Sequence, residues 1–93
     1  MPRYDSAAMP VTISPTPNPN ALKFEVGKDV GGPKTFAVGQ EVDDPLAAAL
    51  LELPEVLSVF MTADFITLSK GPDGTWEIIA EQAQSLISDH FEV

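Results

Sequence analysis

Apolar and polar residues alternate cleanly from Ala21 to Val26. Leu22, Phe24 and Val26 share one parity, and Ala21, Lys23 and Glu25 share the other. A period of two marks a strand with one buried face. Val11, Thr12, Ile13 and Ser14 alternate in the same way, which predicts a short strand with Val11 and Ile13 inward. Between these two runs lies Pro15-Thr16-Pro17-Asn18-Pro19-Asn20. Proline has no N–H for a ladder and biases the residue before it to extended backbone, so this segment reads as a stiff loop with exposed polar side chains. Gly27 to Pro33 reads as a turn region, and Thr35 to Val38 as a third, short strand.

The period then changes. Asp43-Asp44-Pro45 is a helix start: an Asp can accept from the free N–H groups, and Pro45 suits the first helical position. Leu46, Leu50 and Leu53 follow at helical spacing, with Pro54 as the stop. A helix this short is marginal alone and needs packing to hold it. Val56 to Met61 and Phe65 to Ser69 read as two strands joined by a tight connection, a hairpin. Gly71-Pro72-Asp73-Gly74 is a turn. A second helix is predicted from Thr75 or Trp76 to Asp89. Its stripe is Trp76, Ile79, Ala83, Leu86 and His90, widened by Ile87.

The predicted order is β-β-(β)-α-β-β-α. Two helices with one apolar stripe each cover one face of a largely antiparallel, four- to five-stranded sheet, an α+β fold. The opposite face carries Lys23, Glu25, Thr67 and Ser69, and turns to solvent or a partner. In a short hairpin, some of Phe60, Met61 and Phe65 must sit off the core face, leaving an apolar rim.

Composition narrows the chemistry. The chain has 93 residues, the size of one domain. Residues 10–93 read as that domain and residues 1–9 as a flexible extension, with Met9 an alternative start. Cysteine is absent, so these residues form no disulfide and supply no thiolate to zinc, to catalysis or to an iron–sulfur cluster. Five Lys and Arg stand against 14 Asp and Glu, a formal charge of −9. That balance repels phosphate backbones and anionic lipid, which argues against nucleic-acid and membrane partners. No apolar run approaches membrane-spanning length, and the start lacks a signal-peptide pattern, so the expected location is cytoplasmic.

Candidate catalytic sets are poor. The single histidine, His90, lies near the end of the sequence, where chains fray. Asp43 and Asp44 are explained by helix capping. Asp89, His90 and Glu92 are too close in sequence to converge on a metal. Gly31-Gly32-Pro33 lacks phosphate-loop spacing and leads into a strand. Trp76, at the start of an amphipathic stripe, reads as a core anchor.

Three stretches together carry a family resemblance. Thr16-Pro17-Asn18-Pro19-Asn20-Ala21-Leu22-Lys23-Phe24 resembles the opening of the Nfu/NifU-type N-terminal domain. Pro45-Leu46-Ala47 through Val59-Phe60 resembles its helix and next strand. Asp64-Phe65-Ile66-Thr67-Leu68-Ser69-Lys70 resembles its D-F-I-T segment, and Trp76 stands where the family places a tryptophan. The resemblance covers residues 10–90. Two positions depart from it: Glu55 replaces the glycine of a P-G-V turn, and Met61-Thr62-Ala63 replaces an aromatic and a glycine, so the hairpin connection is expected to differ in shape. In full-length Nfu-type proteins a second domain follows, whose C-x-x-C motif holds an iron–sulfur cluster. The present sequence ends without one and is expected to be a stand-alone version.

The resemblance implies a non-catalytic interaction or accessory module in iron–sulfur cluster assembly or delivery, with no cofactor of its own. Its contact residues are expected to be Thr16, Asn18, Asn20, Lys23, Asp64, Phe65 and Lys70. The same residues have a structural reading: Asn18 and Asn20 can bond the turn backbone, and Asp64 can cap the hairpin. The negative charge points to a basic or cation-bearing protein partner. The competing reading is a general peptide adaptor unrelated to iron, using an open sheet edge or face. The oligomeric state is not encoded in any pattern found here.

Overall fold

A computed structural model of the chain describes residues 11–91. The predicted N-terminal extension, the alternative start at Met9, and Glu92 of the carboxylate–histidine trio lie outside the described residues. Five strands and two helices follow in the order β1 (Thr12–Pro15), β2 (Ala21–Glu25), β3 (Lys34–Ala37), α1 (Pro45–Leu51), β4 (Val56–Thr62), β5 (Phe65–Lys70) and α2 (Trp76–Phe91). The strands form one sheet in the order β1-β2-β5-β4-β3, and each neighbouring pair is antiparallel. This is the expected α+β arrangement, with the short third strand present at one edge. β1 forms the other edge, which is where a strand ending in Pro15 can be tolerated.

Cross-strand register sorts the side chains. Ile13, Phe24, Ile66 and Met61 fall on one row, and Leu22, Leu68, Val59 and Phe36 on the next. These rows form the face that packs against the helices, except at the edge, where Ile13, expected inward, is exposed. Phe24, Val26, Val59, Met61, Ile66 and Leu68 join Leu46, Ala47 and Leu50 of α1 and Ile79, Ala83 and Ile87 of α2 in one buried core. Full burial contributes roughly 1.5–3 kcal/mol for each of these side chains larger than alanine. Between Val56 and Ser58 the β4–β5 register shifts. The bulge turns Val56 inward and leaves Leu57 exposed, which the alternation alone would reverse.

Helix ends differ slightly from the expected ones. Asp44 caps α1: its Oδ1 accepts from the Leu46 and Ala47 N–H groups at 2.9 and 3.1 Å. A cap of this kind contributes about 1 kcal/mol. The helix ends at Leu51 and not Leu53, because the Glu52 N–H already turns back to the Ala49 and Leu50 carbonyls. α2 runs two residues beyond Asp89, so His90 lies inside its last turn and is exposed. Three side-chain bonds tie α2 down along its length. Trp76 Nε1 donates to the Pro19 carbonyl, Gln84 Nε2 to the Val11 carbonyl, and Lys28 Nζ to the Phe91 carbonyl. Ile87 is fully buried and forms the centre of the stripe, while Trp76 and Leu86 are half-buried against the core. Trp76 is thus an anchor at the core's edge.

The two departures from the family pattern have a backbone consequence. Glu55 has φ +69° and Ala63 has φ +51°, the left-handed region that glycine enters without strain. The backbone here keeps a conformation suited to glycine while the side chains are not glycine. Gly32 is the opposite case. It has φ +91°, and a Cβ there would run into the Met61 carbonyl oxygen and lie 2.9 Å from the Lys34 nitrogen.

Glu55→Gly is therefore expected to stabilise the protein by about 0.5–1 kcal/mol, the left-handed strain relieved less the added chain entropy. In thermal melts this corresponds to a rise of roughly 4 °C in Tm. Gly32→Ala is expected to destabilise by about 2–3 kcal/mol, because both the backbone conformation and the contact with β4 are lost. Urea titration with an unchanged m-value checks both.

Candidate functional site

The face of the sheet turned away from the helices is built by the other parity. One row crosses all five strands as Ser14, Lys23, Thr67, Phe60 and Thr35. The next runs Thr12, Glu25, Phe65 and Thr62, and a third runs Ala21, Ser69, Ser58 and Ala37. Hydroxyls dominate these rows, with two phenylalanines at their centre. The Phe60 and Phe65 rings lie 6.4 Å apart at a 60° tilt. Lys23 Nζ sits 4.4 Å from the Phe65 centroid, a cation–π contact. Glu25 Oε2 accepts from the Ser14 hydroxyl at 2.8 Å.

The seven expected contact residues fall in three places in the structure. Lys23 and Phe65 meet on the open face. Thr16, Asn18, Asn20 and Lys70 gather at the end of the sheet near the start of α2. There the Thr16 hydroxyl accepts from the Asn18 N–H, and its proton is shared between the Asn18 and Ala21 carbonyls at 2.8 and 2.9 Å. Asn18 Oδ1 accepts from the Asn20 N–H, and Lys70 Nζ donates to Asn20 Oδ1 at 3.1 Å and lies 5.8 Å from the centre of the Trp76 ring. These side chains brace the loop on itself and against α2, the structural reading of the motif. Asp64 lies in the β4–β5 connection. Its side chain is exposed next to Phe65 in sequence, and its carbonyl accepts from the Val26 and Gly27 N–H groups. β2 separates the loop end from the hairpin end by about 17 Å, at roughly 3.3 Å per residue.

Charge is distributed unevenly. Every lysine is engaged within the molecule. Lys23 lies over Phe65, Lys28 bonds the end of α2, Lys34 lies 3.8 Å from Asp44, and Lys70 bonds Asn20. Among the described residues no three His, Asp or Glu side chains converge in a way that could hold a metal. No helix among them is long and apolar enough to cross a membrane.

A groove of about 240 Å³ lies between the segment after β3 and α1, lined by Ala37, Val38, Val42, Ala48 and Leu51 with Gln40 and Glu52. Its walls come from two elements, so no single run of sequence outlines it. The local signal was Val38, an apolar residue 57% exposed just past the strand end.

Comparison with known proteins bears on the whole domain. The family described as scaffold protein Nfu/NifU N terminal matches residues 11–93. A NifU-like protein of Schizosaccharomyces pombe is 41% identical over 81 residues, covering 82% of this chain and 31% of its own length. A Drosophila yakuba protein named NFU1 iron–sulfur cluster scaffold homolog, mitochondrial, is 36% identical over 95 residues, covering 98% of this chain and 34% of its own length. The chain thus spans about a third of the length of these relatives. Among solved structures, the crystal structure of Staphylococcus aureus protein SAV1430 superposes with a TM-score of 0.70 at 26% identity, covering 84% of this chain and 98% of that one. The solution structure of a Saccharomyces cerevisiae NifU-like protein has the same fold, with a TM-score of 0.63 at 23% identity over 96% of this chain and 85% of that one. With its motifs, sheet order and family match in agreement, the chain belongs to the Nfu/NifU scaffold-protein N-terminal family.

Proposed function

We propose that this chain is a non-catalytic protein-interaction module of iron–sulfur cluster assembly or delivery, and that it does not itself hold a cluster. The observation that carries this reading is the family match over residues 11–93. Two further facts support it. Within the 93 residues there is no cysteine, so the residues present do not fit a thiolate-held cluster. The open sheet face carries an aromatic pair, Phe60 and Phe65, with Phe60 exposed. Partners are proteins, of the assembly machinery or its apo-targets. Nucleic acid and membrane are not partners, given the net charge of −9.

Of the seven expected contact residues, Lys23 and Phe65 are the strongest candidates, because both lie on an uncovered face. Thr16, Asn18, Asn20 and Lys70 contribute by holding the loop in shape, and Asp64 by its exposed carboxylate at the hairpin. The general peptide-adaptor reading is favoured by one observation, the apolar groove beside edge strand β3.

Immobilised full chain is expected to capture purified iron–sulfur assembly proteins or apo-targets under conditions where a longer relative does; absence of capture there removes the reading. Anaerobic incubation with iron and sulfide is expected to leave the chain colourless, and a stoichiometric brown product would contradict it.

A further inference from the structure

We infer that the open sheet face, centred on Phe60 and Phe65, is the docking surface, and that its occupant is a basic, amphipathic segment of a partner protein. This deepens the proposed function and rests on the reading of the chain as an interaction module. Among the described residues no helix covers this face, since both helices pack on the opposite parity. A face meant only for water needs no aromatic residue, yet Phe60 is 36% exposed at its centre and Phe65 adjoins it at 6.4 Å. The surroundings of Phe60 are Thr35 and Thr67 on its own row, both hydroxyl-bearing. Aromatic centre and hydroxyl border reproduce the layout of a protein interface, in which an apolar hot spot is ringed by polar groups.

Charge complementarity selects the occupant. The chain carries −9, and its lysines are held by the protein's own rings, carbonyls and carboxylates. Glu25 pairs with Phe65 in register and Asp64 precedes it, so exposed carboxylates border the Phe65 end of the aromatic pair. Apolar side chains of the partner would cover Phe60 and Phe65, while its arginines or lysines reach Glu25 and Asp64. An RNA strand could also stack on exposed rings, but it needs cationic tracks for its phosphates. The described part of this face offers Lys23 alone.

The probe is a short synthetic peptide of alternating leucine and arginine, with a leucine–glutamate peptide as its counterpart. Full-length ¹⁵N-labelled chain is titrated with each. The expected result is binding of the arginine peptide only, with amide shifts at Glu25, Phe60, Phe65 and Thr67. Phe60→Ser, which leaves the net charge unchanged, is expected to weaken binding about tenfold or more while melting cooperatively. The double variant Glu25→Lys with Asp64→Lys is expected to weaken it comparably. Equal binding of the glutamate peptide overturns the inference. So do shifts confined to the Val38–Leu51 groove or to the Thr16–Asn20 loop, or tighter binding of oligouridylate or of phosphatidylglycerol vesicles at this face. The same variants are then used in capture of iron–sulfur assembly proteins. Capture that persists in Phe60→Ser removes this surface and leaves the proposed function standing. Failure of capture by the unaltered chain, with Phe60-dependent binding of the arginine peptide intact, removes the assembly reading and supports the surface.

Discussion

Phe24 pairs with Ile66, and Ile66 with Met61, across the three central strands. This row decides what the helices can cover. Because side chains alternate with a period of two, fixing Phe24, Ile66 and Met61 inward sends Lys23, Phe65, Thr67 and Phe60 outward together. A slip of one residue in the β2–β5 ladder would bury Lys23 and expose Phe24, and one in the β4–β5 ladder would exchange Met61 for Phe60. The apolar core thus sets the composition of the uncovered face, and the chemistry available for recognition is a by-product of the register that stabilises the fold.

Holding the second layer on this sheet takes both packing and polar tethers. α1 is seven residues long and survives on its Asp44 cap and the burial of Leu46, Ala47 and Leu50. α2 is long enough to be tied at both ends and in the middle, through Trp76, Gln84 and the Phe91 carbonyl. Through Trp76 and Lys70 the loop Thr16–Asn20 becomes part of this scaffold. Its polar side chains are absorbed by local bonds, so a motif that looks available for binding in sequence is largely occupied in the fold. On the open face, Phe65 packs under Lys23 while Phe60 stays exposed.

Much of the architecture was legible in the chain. The alternation at Leu22, Phe24 and Val26 gave β2 its inward set, Asp44-Pro45 marked the start of α1, and the Ile79–Ala83 spacing located α2. These signals are local, and the physics behind them acts within one element. The misplaced details were those settled by competition with neighbours. Leu53 fits the helical spacing but falls past the last turn. Ile13 fits the inward parity but stays exposed at the sheet edge. Of the candidate site, Lys23 was legible as an outward-facing residue, and Phe60 and Phe65 as two of three that could be. The groove lined by Val38 and Leu51 was not legible, since its walls are brought together from two elements.

By itself the sequence determined which residues could face inward, where helices could begin, and that no thiol chemistry is available in these 93 residues. It also determined the sign of the surface charge, which depends on composition alone. Tertiary structure decided which strands are neighbours, and through that the meeting of Phe60, Phe65 and Lys23. It also decided that Trp76 bonds Pro19, 57 residues earlier, and that Lys70 bonds Asn20, 50 residues earlier. Periodicity is a property of a single strand or helix, whereas contacts between elements exist only once the chain has closed on itself.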